Sequence, residues 1–209
     1  VEGTRDTLYM TLMSTLFGYV LGLPMGIILT VTDKDGIRPN AAVYKVLDVI
    51  VNILRSVPFL ILLILVMPFT KAIVGKTYGS TATIVPLVIA AAPFIARMVE
   101  SSLKEVDPGV IEAAVSMGAG TGTVIWKVML AEARTSLLVG VTIAIGTILG
   151  YSAMAGTVGG GGLGDIAIQY GYYRYETEIM IVTVVVLVVL VQILQSIGMM
   201  VSRKLDKRK

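Results

Sequence analysis

Few residues of this chain could do chemistry, because the 209-residue sequence contains no cysteine and no histidine. Thiolate or imidazole metal sites, disulfides and any Ser-His or Cys-His catalytic pair are therefore excluded. A polar stripe nevertheless follows the helical spacing i, i+3, i+7, i+10 at Lys45, Asp48, Asn52 and Arg55. Either this stripe lines a water-filled vestibule or a subunit contact, or it is the solvated surface of a protruding helix with Arg55 paired internally.

Two glycine-containing segments resemble nucleotide-binding motifs only in part. The segment 75–77, Gly-Lys-Thr, ends like a phosphate-binding GxxxxGK[ST] loop, but Thr70 stands at the first glycine position and no strand is predicted before it. The segment 159–164 satisfies GxGxxG, yet it follows a predicted apolar helix and not the strand of a βαβ unit. We therefore expect no cofactor and no metal on this chain, and any active process must draw its energy from a partner.

The composition places these residues in a membrane protein. Apolar residues make up 56% of the chain and charged residues 15%, with a mean hydropathy of +0.86, whereas soluble domains are roughly 45–50% apolar and about 25% charged. A soluble globular protein is excluded. The net charge of +3 is too small for a nucleic-acid binder.

The elements that must position the polar residues are predicted membrane helices, since each span needs roughly 20 apolar residues. An all-α integral membrane domain covering residues 1–209 is expected, with five spans at about 8–31, 42–70, 81–98, 136–155 and 178–201. The first span is long and is preceded by acidic residues, so we interpret it as an uncleaved helix and not as a signal peptide. A long polar loop, 100–134, joins the third and fourth spans.

Lysine and arginine counts predict the orientation, because their excess marks the cytoplasmic side. With five spans, one side carries twelve of the 17 basic residues, including those of the 100–134 loop and five in the C-terminal tail, and the other side carries four. The loop and the C-terminus are therefore predicted to be cytoplasmic, and the N-terminus to lie outside.

Proline and small residues recur inside the predicted spans. Glycines at spacing four, namely 18, 22 and 26, and again 146 and 150, form GxxxG patterns, which close packing within the chain and subunit pairing explain equally well. Kinks at Pro58 and Pro93 are candidate points of motion. Candidate hinges in the glycine-rich segment are Gly156, Gly159, Gly161 and Gly164, although a tight loop would also explain these glycines.

The 100–134 loop contains a predicted short helix from Pro108 to Ala119. Asp107 is a plausible N-cap, Pro108 occupies the first helical position and Gly118 marks the end. Small and apolar residues dominate this segment, which suits docking in a groove of another protein. The expected docking residues are Pro108, Val110, Ile111, Glu112, Ala113, Ala114, Met117, Gly118 and Ala119.

These loop residues resemble a known motif. Residues 112–114 (Glu-Ala-Ala), Gly118 and residues 128–130 (Val-Met-Leu) match the spacing of the EAA loop of ATP-binding cassette (ABC) importer permeases, with Ala131 where the family usually has proline. The resemblance implies a type I importer permease with short cytoplasmic coupling helices. It also implies that the loop seats in a cleft of a cytosolic ATPase subunit, which binds ATP and Mg.

Further segments resemble the methionine-importer permeases, the MetI-like branch. They are 55–59, 91–100, 150–154, 161–164 and 169–172. This resemblance implies a bacterial inner membrane permease homodimer with two ATPase subunits, an outer-face substrate-binding lipoprotein and methionine as substrate. The alternatives are a permease for another small solute and a passive channel or signalling subunit.

Candidates for the translocation path or gate are Asn52, Arg55, Ser56, Pro58, Pro93, Ser152 and Met154. Met154 could pack across the dimer axis as a soft gate, or could face lipid or the core. Tyrosines 170, 172, 173 and 175 are interpreted as an interfacial aromatic belt, with a substrate or binding-protein contact as the alternative. Trp126 is expected to pack against the helix bundle, with a contact to the partner subunit as the alternative.

Overall fold

A computed structural model of the chain describes residues 1–205, and every regular element in this range is a helix, as predicted. The predictions for the last three basic residues of the tail lie outside the described residues. The elements are α1 (Glu2–Thr32), α2 (Ala41–Ser56), α3 (Phe59–Leu65), α4 (Met67–Val74), α5 (Ser80–Lys104), α6 (Pro108–Ser116), α7 (Thr121–Thr123), α8 (Leu130–Glu132), α9 (Arg134–Ala155), α10 (Gly162–Ile166) and α11 (Thr177–Leu205). Two π-helical segments, Val124–Met129 and Ala167–Tyr172, and a 3-10 turn, Gly156–Val158, complete them.

Four of these helices, α1, α5, α9 and α11, are long and apolar enough to cross a membrane. They contain the predicted spans at 8–31, 81–98, 136–155 and 178–201. Helix α5 continues beyond its predicted span to Lys104, so it extends into the segment that was predicted to be the start of the 100–134 loop.

The segment 42–70, predicted as one span with a kink at Pro58, does not form a single helix. Helix α2 ends at Ser56 and α3 begins at Phe59, with an angle of 102° between them. The cause is local, because a residue before proline is disfavoured in the helical region, and Val57 has an extended backbone with φ −79° and ψ 123°. The pair forms a broken span or a re-entrant segment, which brings the number of possible spans to five among residues 1–205.

A second interruption follows at Val66, and Pro68 occupies the first turn of α4. The segment 42–70 therefore becomes three helices and not one. Helix α4 reaches Val74 and ends at Gly75, which adopts the left-handed conformation with φ +81°. Helix α4 thus continues beyond the predicted span and includes Lys71.

Helices α1 and α5 pack with their backbones in contact. A Cβ atom placed on Gly22 would lie 2.6 Å from the carbonyl oxygen of Ala92, and one on Gly26 would lie 2.6 Å from that of Ala96. Only glycine permits this approach. The first GxxxG pattern therefore serves packing within the chain, and α5 forms the centre of the fold, with Leu87, Ile95 and Val99 in the core.

The second GxxxG pattern is used only in part within the described chain. A Cβ atom on Gly146 of α9 would lie 2.7 Å from Nε2 of Gln195 on α11, whereas nothing lies within 4 Å of such an atom on Gly150. Helix α11 is the least covered of the four long helices, with 6% of its most apolar window buried. Most of its surface is thus open to lipid or to a neighbouring protein.

Candidate functional site

The predicted short helix of the long loop is present as α6. The Asp107 side chain accepts a hydrogen bond from the backbone N–H of Gly109 at 2.7 Å, and Pro108 occupies the first helical position. The helix ends at Ser116, and Gly118 follows with φ +85°. The N-cap and the stop signal are therefore confirmed, and the helix is three residues shorter than the predicted range 108–119.

Helix α6 presents a small apolar surface. Ala114 is its one buried residue, and Ile111 and Ala119 pack partly against the core. On the outer side the exposed residues are Pro108, Gly109, Val110, Glu112, Ala113, Val115, Ser116, Met117 and Gly118. Met117 is 82% exposed, and Glu112 makes no ion pair within residues 1–205. One uncompensated carboxylate in a small apolar face fits a groove in a partner.

The segment after α6 packs against it as a compact turn of helical structure. Val124 and Met129 in the π-helical segment point into the core. The expectation that Trp126 packs against the bundle is wrong, because its side chain is 67% exposed. The segment after α6 therefore carries a large exposed aromatic surface.

The polar stripe of α2 divides into two parts. Asp48 and Asn52 bind Arg97 of α5: the guanidinium donates to the Asp48 carboxylate, and to Oδ1 of Asn52 at 2.9 Å. Lys45 and Arg55 are exposed and make no ion pair among the described residues. The internal pairing of Arg55, offered as one alternative, is therefore wrong, and Arg97 is the internally paired arginine.

A network of charges extends from Arg97 along α5. Glu100, whose side chain is 6% exposed, accepts hydrogen bonds from Arg97 at 2.7 Å and from Lys104 at 2.8 Å. Lys104 also binds Asp33, at the end of α1, with an Nζ–Oδ2 distance of 2.6 Å. This hydrogen bond from Lys104 holds the pKa of Asp33 below its ordinary value. The network, defined as Asp33, Asp48, Asn52, Arg97, Glu100 and Lys104, joins α1, α2 and α5.

Sequence reasoning missed this polar network. Arg97 entered only as one of the basic residues that predict orientation and as part of the segment 91–100, which resembles the MetI-like branch. The available signal is the spacing of Arg97, Glu100 and Lys104, i, i+3 and i+7, which places three charges on one side of an apolar helix. Among residues 1–205 the acidic side chains form no group of three that could hold a metal ion. The acidic side chains of this network form ion pairs with Arg97 and Lys104.

The structure does not gather the path and gate candidates on one surface. Asn52, Arg55, Ser56 and Pro58 are exposed near the end of α2, and the Ser56 hydroxyl donates to the Asn52 carbonyl at 2.7 Å. Pro93 and Ser152 are buried in the interior, and Met154 is exposed on α9. Their roles in a path or gate remain predictions.

The bend after α2 contacts α9 through an aromatic pair that the sequence did not predict. The rings of Phe59 and Tyr151 are stacked, with centroids 4.6 Å apart and planes inclined by 4°. Such pairs contribute about 0.5–1.5 kcal/mol beyond their buried area. The start of α3 is thus fixed against the C-terminal part of α9.

The glycine-rich segment is closely packed. A Cβ atom on Gly156 would lie 2.2 Å from the backbone carbon of Gly164, and one on Gly164 would lie 2.1 Å from the Ala153 carbonyl oxygen. Gly159 and Gly161 have φ of +75° and +80°, which L residues with side chains rarely adopt. These glycines are needed for contact and for chain reversal, and their use as hinges remains a prediction. The following tyrosines at 170, 172, 173 and 175 are exposed. Exposure is required both for an interfacial aromatic belt and for a contact with substrate or binding protein.

Comparison with known proteins identifies the class to which this fold and surface belong. The family model described as "Binding-protein-dependent transport system inner membrane component" matches residues 22–208. The chain belongs to this family of membrane-spanning transport permeases.

Within this family, the chain is similar to permeases named for methionine transport. The chain is 54% identical over 208 residues to the probable D-methionine transport system permease protein MetI of Vibrio cholerae, covering 100% of this chain and 92% of that protein. It is 46% identical over 207 residues to the methionine import system permease protein MetP of Bacillus subtilis, covering 99% and 93%. A solved structure of the MetNI methionine ABC transporter in an inward-facing conformation superposes with a TM-score of 0.96 at 48% identity, covering 97% of this chain and 94% of the other.

Proposed function

We propose that this chain is the permease subunit of an ABC importer that carries methionine across the bacterial inner membrane. The observation that supports this proposal is the similarity of the chain, over nearly its whole length, to permeases named for methionine transport. The chain itself supplies the path and does not hydrolyse ATP, which is the task of a separate ATPase subunit.

In this proposal the working complex is a homodimer of the permease with two cytosolic ATPase subunits, each binding ATP and Mg. A substrate-binding lipoprotein delivers methionine at the outer face, and lipid surrounds the assembly. The distribution of basic residues favours an N-terminus outside and a cytoplasmic C-terminus. The open surface of α11 leaves room for contact with lipid or a second copy.

Helix α6 is the coupling element in this mechanism. Its exposed residues, with Glu112 at their centre, seat in a groove of the ATPase subunit, and Ile111, Ala114 and Ala119 hold the helix to the rest of the chain. ATP binding closes the ATPase subunits and displaces α6. Since α6 contacts the partner differently in the two states, this displacement shifts the bundle between inward-facing and outward-facing conformations.

The experiment that tests this function is a charge reversal on α6. Glu112→Lys is expected to abolish methionine uptake and co-purification of the ATPase subunit while the permease still reaches the membrane. The matched control is Asp35→Lys, which reverses an exposed carboxylate on the same predicted side of the membrane and should leave uptake intact. Normal uptake by the Glu112→Lys transporter would contradict the proposal.

Two further measurements separate the alternatives. Competition of labelled methionine uptake by other amino acids tests the substrate, since a different solute would compete more strongly than unlabelled methionine. Solute flux through the reconstituted permease without ATP would instead indicate a passive channel.

A further inference from the structure

Helix α2 is attached to the rest of the chain by little apolar packing. Val51 is its only buried residue, and this side chain packs with Leu29 of α1 and Ala96 of α5. Tyr44 and Leu47 add partly buried surface beside it. One short apolar patch therefore holds a helix of 16 residues, and a second attachment is needed to fix its direction.

The second attachment is Arg97. Its guanidinium binds two side chains of α2, the Asp48 carboxylate and the Asn52 amide oxygen. The Asn52 amide nitrogen donates back to Asp48 at 3.2 Å, which turns the amide oxygen toward Arg97. The Arg97 side chain is 20% exposed. Charge-assisted hydrogen bonds with a planar guanidinium are both strong and directional, so this contact fixes orientation as well as distance.

Arg97 lies on the part of α5 that leads directly to α6. Three residues, 105–107, separate the end of α5 at Lys104 from Pro108, and Val106 among them is buried. Glu100 joins Arg97 to Lys104 by two short hydrogen bonds. A displacement of α6 is therefore passed along the chain to the last two turns of α5. Of the charged residues in these turns, Arg97 binds two side chains of α2, whereas Glu100 and Lys104 contact α2 only at Tyr44, through a 3.5 Å hydrogen bond and the face of the ring.

Beyond α2, the chain turns at Pro58 into α3, whose first residue stacks on Tyr151 of α9. A continuous series of contacts thus runs from α6 through α5 and Arg97 to α2, and on through the bend to α9. Pro58 itself is exposed, so the bend is held on one side by the stacking of Phe59 on Tyr151 and on the other side by the direction of α2.

We propose that Arg97 is a positioning residue that fastens α2 to α5, so that α2 and the bend at Pro58 move together with α6. This role rests on the proposed function, because it concerns how displacement of α6 by the ATPase subunit is converted into transport. Without Arg97 the ATPase subunits still close on α6, but α2 no longer follows. Hydrolysis then continues with little transport.

The test is the ratio of methionine transported to ATP hydrolysed, measured in the same liposomes containing permease, ATPase subunit and binding protein. Arg97→Gln is expected to lower this ratio by about tenfold, within the usual range of coupling between sites. A merely structural role would reduce the amount of intact complex and lower both rates together, leaving the ratio unchanged. The matched control is Lys45→Gln, which removes an exposed cation on α2 that makes no ion pair among residues 1–205 and should preserve the ratio.

A double-mutant cycle assigns the effect to the contact between the two helices. Asp48→Asn should lower the ratio, and the double variant Asp48→Asn/Arg97→Gln should be no worse than Arg97→Gln alone, because both changes remove the same contact. Arg97→Lys should recover part of the ratio, since an ammonium can bind one of the two partners but not both in the guanidinium geometry. Additive losses would overturn the proposal.

The outcomes separate this proposal from the proposed function. A wild-type complex that takes up no methionine would overturn the function itself. A wild-type complex that transports, together with an Arg97→Gln complex of unchanged ratio, would overturn the role of Arg97 alone. Should Arg97→Gln fail to assemble, Asp48→Asn decides the question, since it leaves Arg97 paired with Glu100: a reduced ratio supports the role, and an unchanged ratio overturns it.

Discussion

The close contact between α1 and α5 makes a quantitative prediction for a single added methyl group. In Gly22→Ala the new Cβ atom would lie 2.6 Å from the Ala92 carbonyl oxygen, which is 0.8 Å short of the 3.4 Å at which ordinary contact begins. The obstructing atom belongs to the backbone of α5 and cannot rotate away. The two helices must therefore separate locally by a large fraction of an ångström, or both must deform.

The energetic cost follows from two opposing effects. Overpacking of a close interface costs about 1–3 kcal/mol, while alanine is favoured over glycine inside a helix by about 1 kcal/mol. A net loss of about 1 kcal/mol, and at most about 2 kcal/mol, is expected for Gly22→Ala. Gly26→Ala should match it, because its Cβ atom would lie 2.6 Å from the Ala96 carbonyl oxygen. Gly18→Ala should lose less, since its nearest neighbour at 2.9 Å is the flexible end of Ile95.

Thermal unfolding of the detergent-solubilised chain measures these differences. The matched control is Gly122→Ala in α7, a helical glycine with nothing within 4 Å of the added atom, which should not lower the unfolding temperature. The expected order of unfolding temperature is Gly122→Ala, then Gly18→Ala, then Gly22→Ala and Gly26→Ala together. If Gly22→Ala unfolded at the temperature of Gly122→Ala, the inference of backbone contact between α1 and α5 would be refuted.

Two further predictions concern the ends of the helices around the coupling region. Because Lys104 lowers the pKa of Asp33, the ionised carboxylate stabilises the fold above its unfolded pKa of about 3.9, and this contribution is lost as the pH falls through the lower folded value. Asp33→Asn should therefore lower the unfolding temperature at pH 7, with a deficit that shrinks below about pH 4; a deficit independent of pH would contradict this. Asp107→Ala removes the N-cap of α6, which costs about 1 kcal/mol and should weaken ATPase binding by about fivefold. Asp107→Asn should bind normally, since asparagine caps equally well, and equal affinity of all three proteins in a binding titration would argue against the cap.

The long helices were predictable because their signal is a length of apolar sequence. Hydropathy measures whether a segment can cross the bilayer, and four of the five predicted spans lie within single helices. The 42–70 segment failed because hydropathy does not detect backbone geometry. The sequence remains apolar through Val57 and Pro58, while the proline forces the preceding residue into an extended conformation. A kink was predicted at Pro58, but a bend of 102° depends on what α3 packs against, including Tyr151.

The two parts of the candidate site, α6 and the polar network, also differ in how far they could be predicted from the sequence. Helix α6 was predictable because its signals are local. The capping carboxylate and the proline act on the first turn, and the glycine in the left-handed conformation follows the last turn. The polar network was not predictable in full, because its members come from α1, α2 and α5. The stripe on α2 indicated that Asp48 and Asn52 need polar surroundings, but Arg97 lies 49 residues from Asp48 in the sequence. Only the packing of α5 against α2 brings them together.

The distribution of packing also indicates which contacts can change during transport. Helices α1 and α5 meet backbone to backbone at Gly22 and Gly26, so sliding one past the other would drive carbonyl oxygens into neighbouring atoms, and the pair should move as one body. Helix α2 has one buried residue, with Tyr44 and Leu47 partly buried beside it, and is otherwise held by hydrogen bonds, chiefly to Arg97. These hydrogen bonds can break and reform at lower cost. Motion at the glycine-rich segment would have to separate Gly156 from Gly164, whose backbones are in direct contact. The junction of α2 with α5 is therefore the place where displacement of α6 is most readily converted into a change of conformation, and its polar contacts determine whether that displacement reaches the bend at Pro58.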